Sequence, residues 1–343
     1  MRDDDELLST PGLEFGSGIV GVCDICRKRQ AVIVLLKERY KLCVIDFLNK
    51  TWLESKAAPG RPLPPYRSER IFFPTSAVPT GKAPAIVLSP TRPVRRPVVL
   101  LTPDVYGITT SVLDGAIRLA RDGFEVLVPE VGKTAGIGPM DHLSLRSGAI
   151  TGGGVPVSAP RVRRLLGLYA DALRALRSRE MVDPTRSALV GLSFGGALAL
   201  GLAGEDRETT AVAVAYPVPV RPAEHLRLVT APIFAVAGAR DRRALAAVGE
   251  IEAAAARGEV TAEVLRVPGV GHNFLSRDLR AYDLAAAEEV WGRLVTFVHG
   301  RLVPPPPKPP ARPATQPAPP PTAAPARPVP APASPGAGGA APA

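Results

Sequence analysis

The chain has 343 residues, 46% of them hydrophobic, with three cysteines and a formal net charge of +10. That is enough apolar material for a large core, in one domain with appendages or in two, and three clustered cysteines exclude a disulfide framework. The charge comes from scattered arginines with no Lys/Arg block interleaved with aromatics, so the surface is expected to be basic and solvated, without a specific nucleic-acid site.

The first residues, MRDDDELLST, are acidic and lack the apolar stretch of a secretory signal. No run approaches the ~18 apolar residues of a membrane span. The expected setting is cytoplasmic, without membrane contact. Residues 1–70 then carry all three cysteines: Cys23-Asp-Ile-Cys26, and after 16 residues Cys43-Val-Ile-Asp46. Two apolar runs separated by a polar turn lie between them, which is the shape of a zinc ribbon with aspartate as fourth ligand. Three readings stay open: structural zinc on Cys23, Cys26, Cys43 and Asp46, a redox pair, or three thiols without metal. The spacing favours the first. A Pro-rich linker, AAPGRPLPPYRSER, closes this zone at Arg70.

Residues 71–302 alternate short apolar runs with amphipathic stretches. Val98–Thr102 is a continuous β-branched run, as expected of a strand buried on both faces. Thr110–Arg121 reads as a helix and GFEVLVPE as a second strand. The Gly-rich stretch 132–158 reads as a mobile flap. Arg161–Ser178 has leucines at helical spacing, and Ser187–Leu192, Ala211–Tyr216, Ile233–Ala237 and Val260–Val267 read as further strands, with helices near 243–257 and 279–299. Such alternation implies a mostly parallel sheet covered by helices, with chemistry at the carboxyl ends of its strands.

The strand SALVGL runs into Gly191-Leu192-Ser193-Phe194-Gly195-Gly196 and then a small-residue helix. This is the G-x-S-x-G nucleophile elbow in its strand-turn-helix context. Side chains at Gly191 or Gly195 would collide with neighbouring backbone, and the helix aims its first amides at the site. A serine needs a base. His272, in the sharp loop after the last strand, is the candidate; Asp241, at the end of IFAVAG, lies between the two in chain order and would orient it. The amide of Phe194 and that of Val105, just past the strand Val98–Thr102, are the candidate oxyanion donors. From Pro304 onward the sequence is almost wholly Pro and Ala, with little to bury, and reads as a disordered tail over 303–343.

These segments together resemble the dienelactone hydrolase family of α/β-hydrolases, from about Ala85 to Val298. PDVYG resembles that family's strand-end motif, GLSFGG its elbow, AGARD its acid turn and GVGHNF its base loop. The resemblance implies an α/β-hydrolase fold and gives Asp104, where the family places glutamate, a supporting role beside the oxyanion amide. Three departures stand out. The nucleophile is Ser193 rather than cysteine, the strand-end acid is shorter, and the family's arginine four residues after the histidine is Ser276, with Arg277 next to it.

The expected activity is hydrolysis of a small-molecule carboxylic ester or lactone through an acyl-enzyme on Ser193, with no cofactor in the chemistry. The rival reading is a non-catalytic scaffold on a hydrolase-like body, binding a protein partner through the N-terminal module or the Pro-rich tail.

Overall fold

The computed structural model describes residues 13–15, 21–23, 30–31, 33–35, 40–42, 66–104, 107–130, 154–277 and 279–303. Cys26, Cys43, Asp46 and Val105, the greater part of the stretch read as a flap, and the Pro/Ala tail lie outside them.

The N-terminal zone contains β1 (Leu13–Phe15), β2 (Gly21–Val22), β3 (Gln30–Ala31), β4 (Ile33–Leu35) and β5 (Tyr40–Leu42). β2 and β3 pair antiparallel, and β4 pairs antiparallel with both β1 and β5.

The remaining strands are β6 (Tyr66–Pro74), β7 (Lys82–Pro90), β8 (Arg96–Thr102), β9 (Glu125–Pro129), β10 (Val155–Pro156), β11 (Val182–Leu192), β12 (Ala211–Ala215), β13 (Val220–Arg221), β14 (Ile233–Gly238) and β15 (Ala262–Val267). Eight of them form one sheet, ordered β15-β14-β12-β11-β8-β9-β7-β6. β7 pairs antiparallel with β6 and β9, and the other pairings are parallel. β8, β9, β12 and β14 are buried at every position, which explains their continuous Val, Leu, Ile and Ala runs.

Among the described residues five α-helices flank the sheet: α1 (Thr110–Arg121), α2 (Pro160–Arg177), α3 (Phe194–Glu205), α4 (Arg242–Ala256) and α5 (Leu284–Leu302). α1 packs on α5, and α2 packs on α3. Pro160 opens α2, where a missing N–H costs nothing. α3 is apolar around its whole circumference and buried from Phe194 to Gly204, so it is the central helix behind the elbow. This is the α/β-hydrolase architecture.

The structure differs locally from what the sequence leads one to expect, and β7 is a strand that no run above marked. β6 begins at Tyr66, taking in the last residues of the stretch read as linker. β11 starts at Val182, five residues early, across a register irregularity before Ser187. α5 starts at Leu284 rather than near 279, because the Asp283 carboxylate caps it by accepting from the Ala286 amide. The end of the expected flap is ordered: Val155 and Pro156 pair parallel with Val220 and Arg221.

Candidate active site

β11 ends at Leu192 and α3 begins at Phe194, leaving Ser193 alone to turn the chain. Its backbone sits at φ 54°, ψ −118°, outside the regions non-glycine residues favour. Neighbouring backbone holds it there: the Ser193 amide donates to the Ala215 carbonyl at 3.0 Å. The elbow glycines are required by close approach. A Cβ on Gly195 would lie 2.2 Å from the Pro103 carbonyl oxygen, and one on Gly191 2.6 Å from that of Gly195. The Thr102 hydroxyl donates to the Gly195 carbonyl at 2.8 Å, tying the end of β8 to the elbow.

His272 lies in the loop after β15. The Ser193 hydroxyl donates to its Nε2 at 2.8 Å, while its Nδ1–H donates to Asp241 Oδ2. The carboxylate is shared between two tasks. Oδ1 accepts from the amides of Arg243 and Ala244, each at 3.1 Å, as the N-cap of α4. Burial works against the charged form of Asp241, but the hydrogen bond and charge of His272 and the two cap amides outweigh it, holding the carboxyl below its ordinary value.

The acid and base loops are joined through backbone. The Ala239 amide donates to the Val267 carbonyl at 2.8 Å and that of Arg240 to Val270 at 2.9 Å. The pair is therefore positioned by main chain as well as by its own hydrogen bond. Two other histidines have structural partners: His225 Nε2 meets the Gly201 carbonyl at 3.1 Å, and His299 Nδ1–H donates to Asp122 at 2.7 Å. His142 lies outside the described residues.

Phe194, the first residue of α3, has an amide that the helix itself leaves without an acceptor. Val105, the other candidate oxyanion donor, is not among the described residues. Asp104 beside it is buried, and its charge adds to the burial that holds the Tyr169 hydroxyl well above its ordinary range. Ser276, where the resemblance leads one to expect an arginine, is buried, and Arg277 lays its guanidinium over the Tyr282 ring at 5.7 Å. Cys23 is buried at the end of β2; Cys26, Cys43 and Asp46 are outside the described residues, among which no cluster of His, Cys, Asp or Glu could hold a metal.

One neighbour of the site escaped the sequence reading. The Tyr216 ring meets the His272 imidazole with centroids 5.0 Å apart. In sequence it is only the last residue of an apolar run, and nothing local marks it.

Among the described residues no helix is long and apolar enough to cross a membrane. The model of the dienelactone hydrolase family matches residues 83–301. Two curated relatives are proposed carboxymethylenebutenolidases. That of Escherichia coli is 24% identical over 211 residues, 59% of this chain and 76% of its own length. That of Synechocystis is 22% identical over 207 residues, 58% of this chain and 83% of its own. Among solved structures, a proposed dienelactone hydrolase from Klebsiella pneumoniae superposes with a TM-score of 0.59 at 19% identity, covering 68% of this chain and 99% of that one. The dienelactone hydrolase-like promiscuous phosphotriesterase P91, from metagenomic libraries, gives 0.58 at 21%, covering 69% and 98%. With the family model spanning well over half its length, the chain belongs to the dienelactone hydrolase family.

Proposed function

We propose that this hydrolase cleaves carboxylic esters or lactones through an acyl-enzyme on Ser193, with His272 and Asp241 completing the triad. The observation that carries the reading is the unbroken chain from the Ser193 hydroxyl through both imidazole nitrogens to a buried carboxylate. In the first half-reaction the Ser193 oxygen attacks the carbonyl carbon while its proton passes to His272 Nε2. The tetrahedral oxyanion accepts from the Phe194 amide and, by its place in the sequence, from that of Val105. Collapse breaks the bond to the alcohol oxygen, which takes the proton from Nε2. Water then repeats the attack, with His272 as base and then acid, and releases the carboxylic acid. For a lactone the leaving alcohol stays tethered, and the product is a hydroxy acid.

A serine hydroxyl in place of the family's thiol needs its base in place before substrate arrives. The resting contact between Ser193 and His272 meets that need. The test is labelling of wild type and Ser193→Ala by a fluorophosphonate probe, beside turnover of short p-nitrophenyl esters. Labelling and turnover confined to wild type are expected. A folded wild type that does neither would hand the case to the scaffold reading.

The N-terminal cysteines carry a separate proposal: a structural zinc on Cys23, Cys26, Cys43 and Asp46. The spacing supports it, together with the burial of Cys23 where β2 ends. Metal analysis of protein expressed with added zinc should give about one zinc per chain, as a closed four-ligand site requires; well under one would overturn it.

A further inference from the structure

Among the described residues four non-glycines have left-handed backbone, and three of them stand at the carboxyl edge of the sheet: Ser193 (φ 54°), Tyr216 (φ 39°) and Asn273 (φ 62°). The elbow accounts for Ser193, and asparagine tolerates this region. Tyrosine does not favour it. Such a conformation persists where its surroundings over-determine it, and it concentrates at functional sites.

The surroundings of Tyr216 are specific. Its amide donates to the Val236 carbonyl at 2.6 Å, carrying the β12–β14 pairing one residue beyond Ala215. The chain then turns, and the ring is wholly buried. One side of it meets His272 at 5.0 Å, the ring planes inclined at 63°. Phe274 meets it at 5.6 Å and 70°. Both contacts fall within the separations and tilted geometries that aromatic pairs prefer.

We infer that Tyr216 is a positioning residue for His272, its ring forming a fixed wall that holds the imidazole in the rotation used for catalysis. The inference rests on the function proposed above. At rest two hydrogen bonds align the imidazole, one at each nitrogen. Once the Ser193 oxygen has bonded to the carbonyl carbon, the Nε2 end loses that partner. The same Nε2–H must next find the leaving alcohol, and Nε2 must later find water. A packed ring keeps the imidazole aligned across these changes, because its contact depends on no proton. A small misplacement of a reacting group costs turnover far more than binding. The effect should therefore fall on kcat, and it should follow the ring rather than the hydroxyl.

The experiment compares full-length wild type with Tyr216→Leu and Tyr216→Phe. Two quantities are read: kcat and KM on p-nitrophenyl acetate, and the far-downfield proton resonance of the His272–Asp241 hydrogen bond. Leucine should lower kcat about 10- to 100-fold with KM within about twofold, and should broaden or abolish the resonance. Phenylalanine should restore kcat to within about threefold of wild type and keep the resonance. If leucine does not fold, Tyr216→Met fills much of the same space without a planar ring and is read the same way. A folded leucine or methionine variant with wild-type kcat and an unchanged resonance would overturn the inference. So would a phenylalanine variant as impaired as leucine. If wild type turns over no ester, the hydrolytic reading fails, and the resonance alone still decides the role of Tyr216.

Discussion

The two ends of the parallel strands use polar groups in opposite ways. At the starts of the strands Glu125, with no exposed surface, receives the Ser89 hydroxyl and Arg179 Nε on one oxygen, each at 2.8 Å, and Arg96 Nε on the other at 2.9 Å. β7, β8, β9 and the turn after α2 thus meet at one carboxylate, and Arg179 also pairs with Glu69, which ties β6 to them. At the carboxyl ends the backbone itself is bent to place side chains: Ser193, Tyr216 and Asn273 all have left-handed φ. At one end a carboxylate has both oxygens filled by donors. The other leaves a hydroxyl aimed at a base. Stability and chemistry should thus separate along the length of the strands.

The largest test of that separation is Ser193→Ala. Removing the nucleophile of a serine hydrolase costs on the order of 10⁶-fold in kcat. The thermal midpoint should hardly move, since the hydroxyl donates a single hydrogen bond and alanine accepts the same backbone no worse. Steady-state kinetics beside calorimetry read both. A fall in midpoint comparable to that of a core mutation would erase the comparison.

Glu125→Ala is the complementary break. It leaves Arg96, itself nearly buried, without its carboxylate. Removing one partner of a buried ion pair costs about 3–5 kcal/mol, and for a domain of this size that lowers the midpoint by roughly 6–20 °C. Activity per folded molecule should remain that of wild type at temperatures where the variant is folded. Urea titration and kcat on the same preparation would check it.

The same contrast explains what could be read from the sequence. The elbow, acid turn and base loop can be found because each ends an apolar run: the proposed chemistry calls for the residue types, this fold gives the order Ser193, Asp241, His272, and the three side chains are hydrogen-bonded in series. Gly191 and Gly195 are legible because they belong to the elbow motif, although the backbone that excludes a Cβ at Gly195 is that of Pro103 and Thr102 at the distant end of β8. The Glu125 cluster is not. It joins residues 29, 36 and 54 positions apart, and an acid inside GFEVLVPE gives no sign of partners. β6 and β7 were missed for a related reason: one has an irregular exposed pattern, and the other contains prolines that read as breaks. Tyr216 ends a run of small apolar residues, and only the pairing with β14 and the turn beyond show that its ring reaches His272.

The smallest effect on stability sharpens the comparison, because Asp241 belongs to both sides of it. One oxygen caps α4 and the other orients His272. Its carboxyl ionises more readily in the folded chain than at its ordinary value of 3.8. Its contribution to stability is therefore complete above that value, and it drains away as pH falls below it through the lowered folded value. Asp241→Asn keeps an oxygen for the cap but removes this titration. The stability difference between wild type and the variant should shrink as pH falls below about 4. Over the whole range kcat of the variant should remain depressed by about 10⁴-fold, because an amide does not hold the imidazole in the tautomer that accepts the serine proton. Stability curves that stay parallel through the acid limb would show that Asp241 orients His272 without its ionisation supporting the fold.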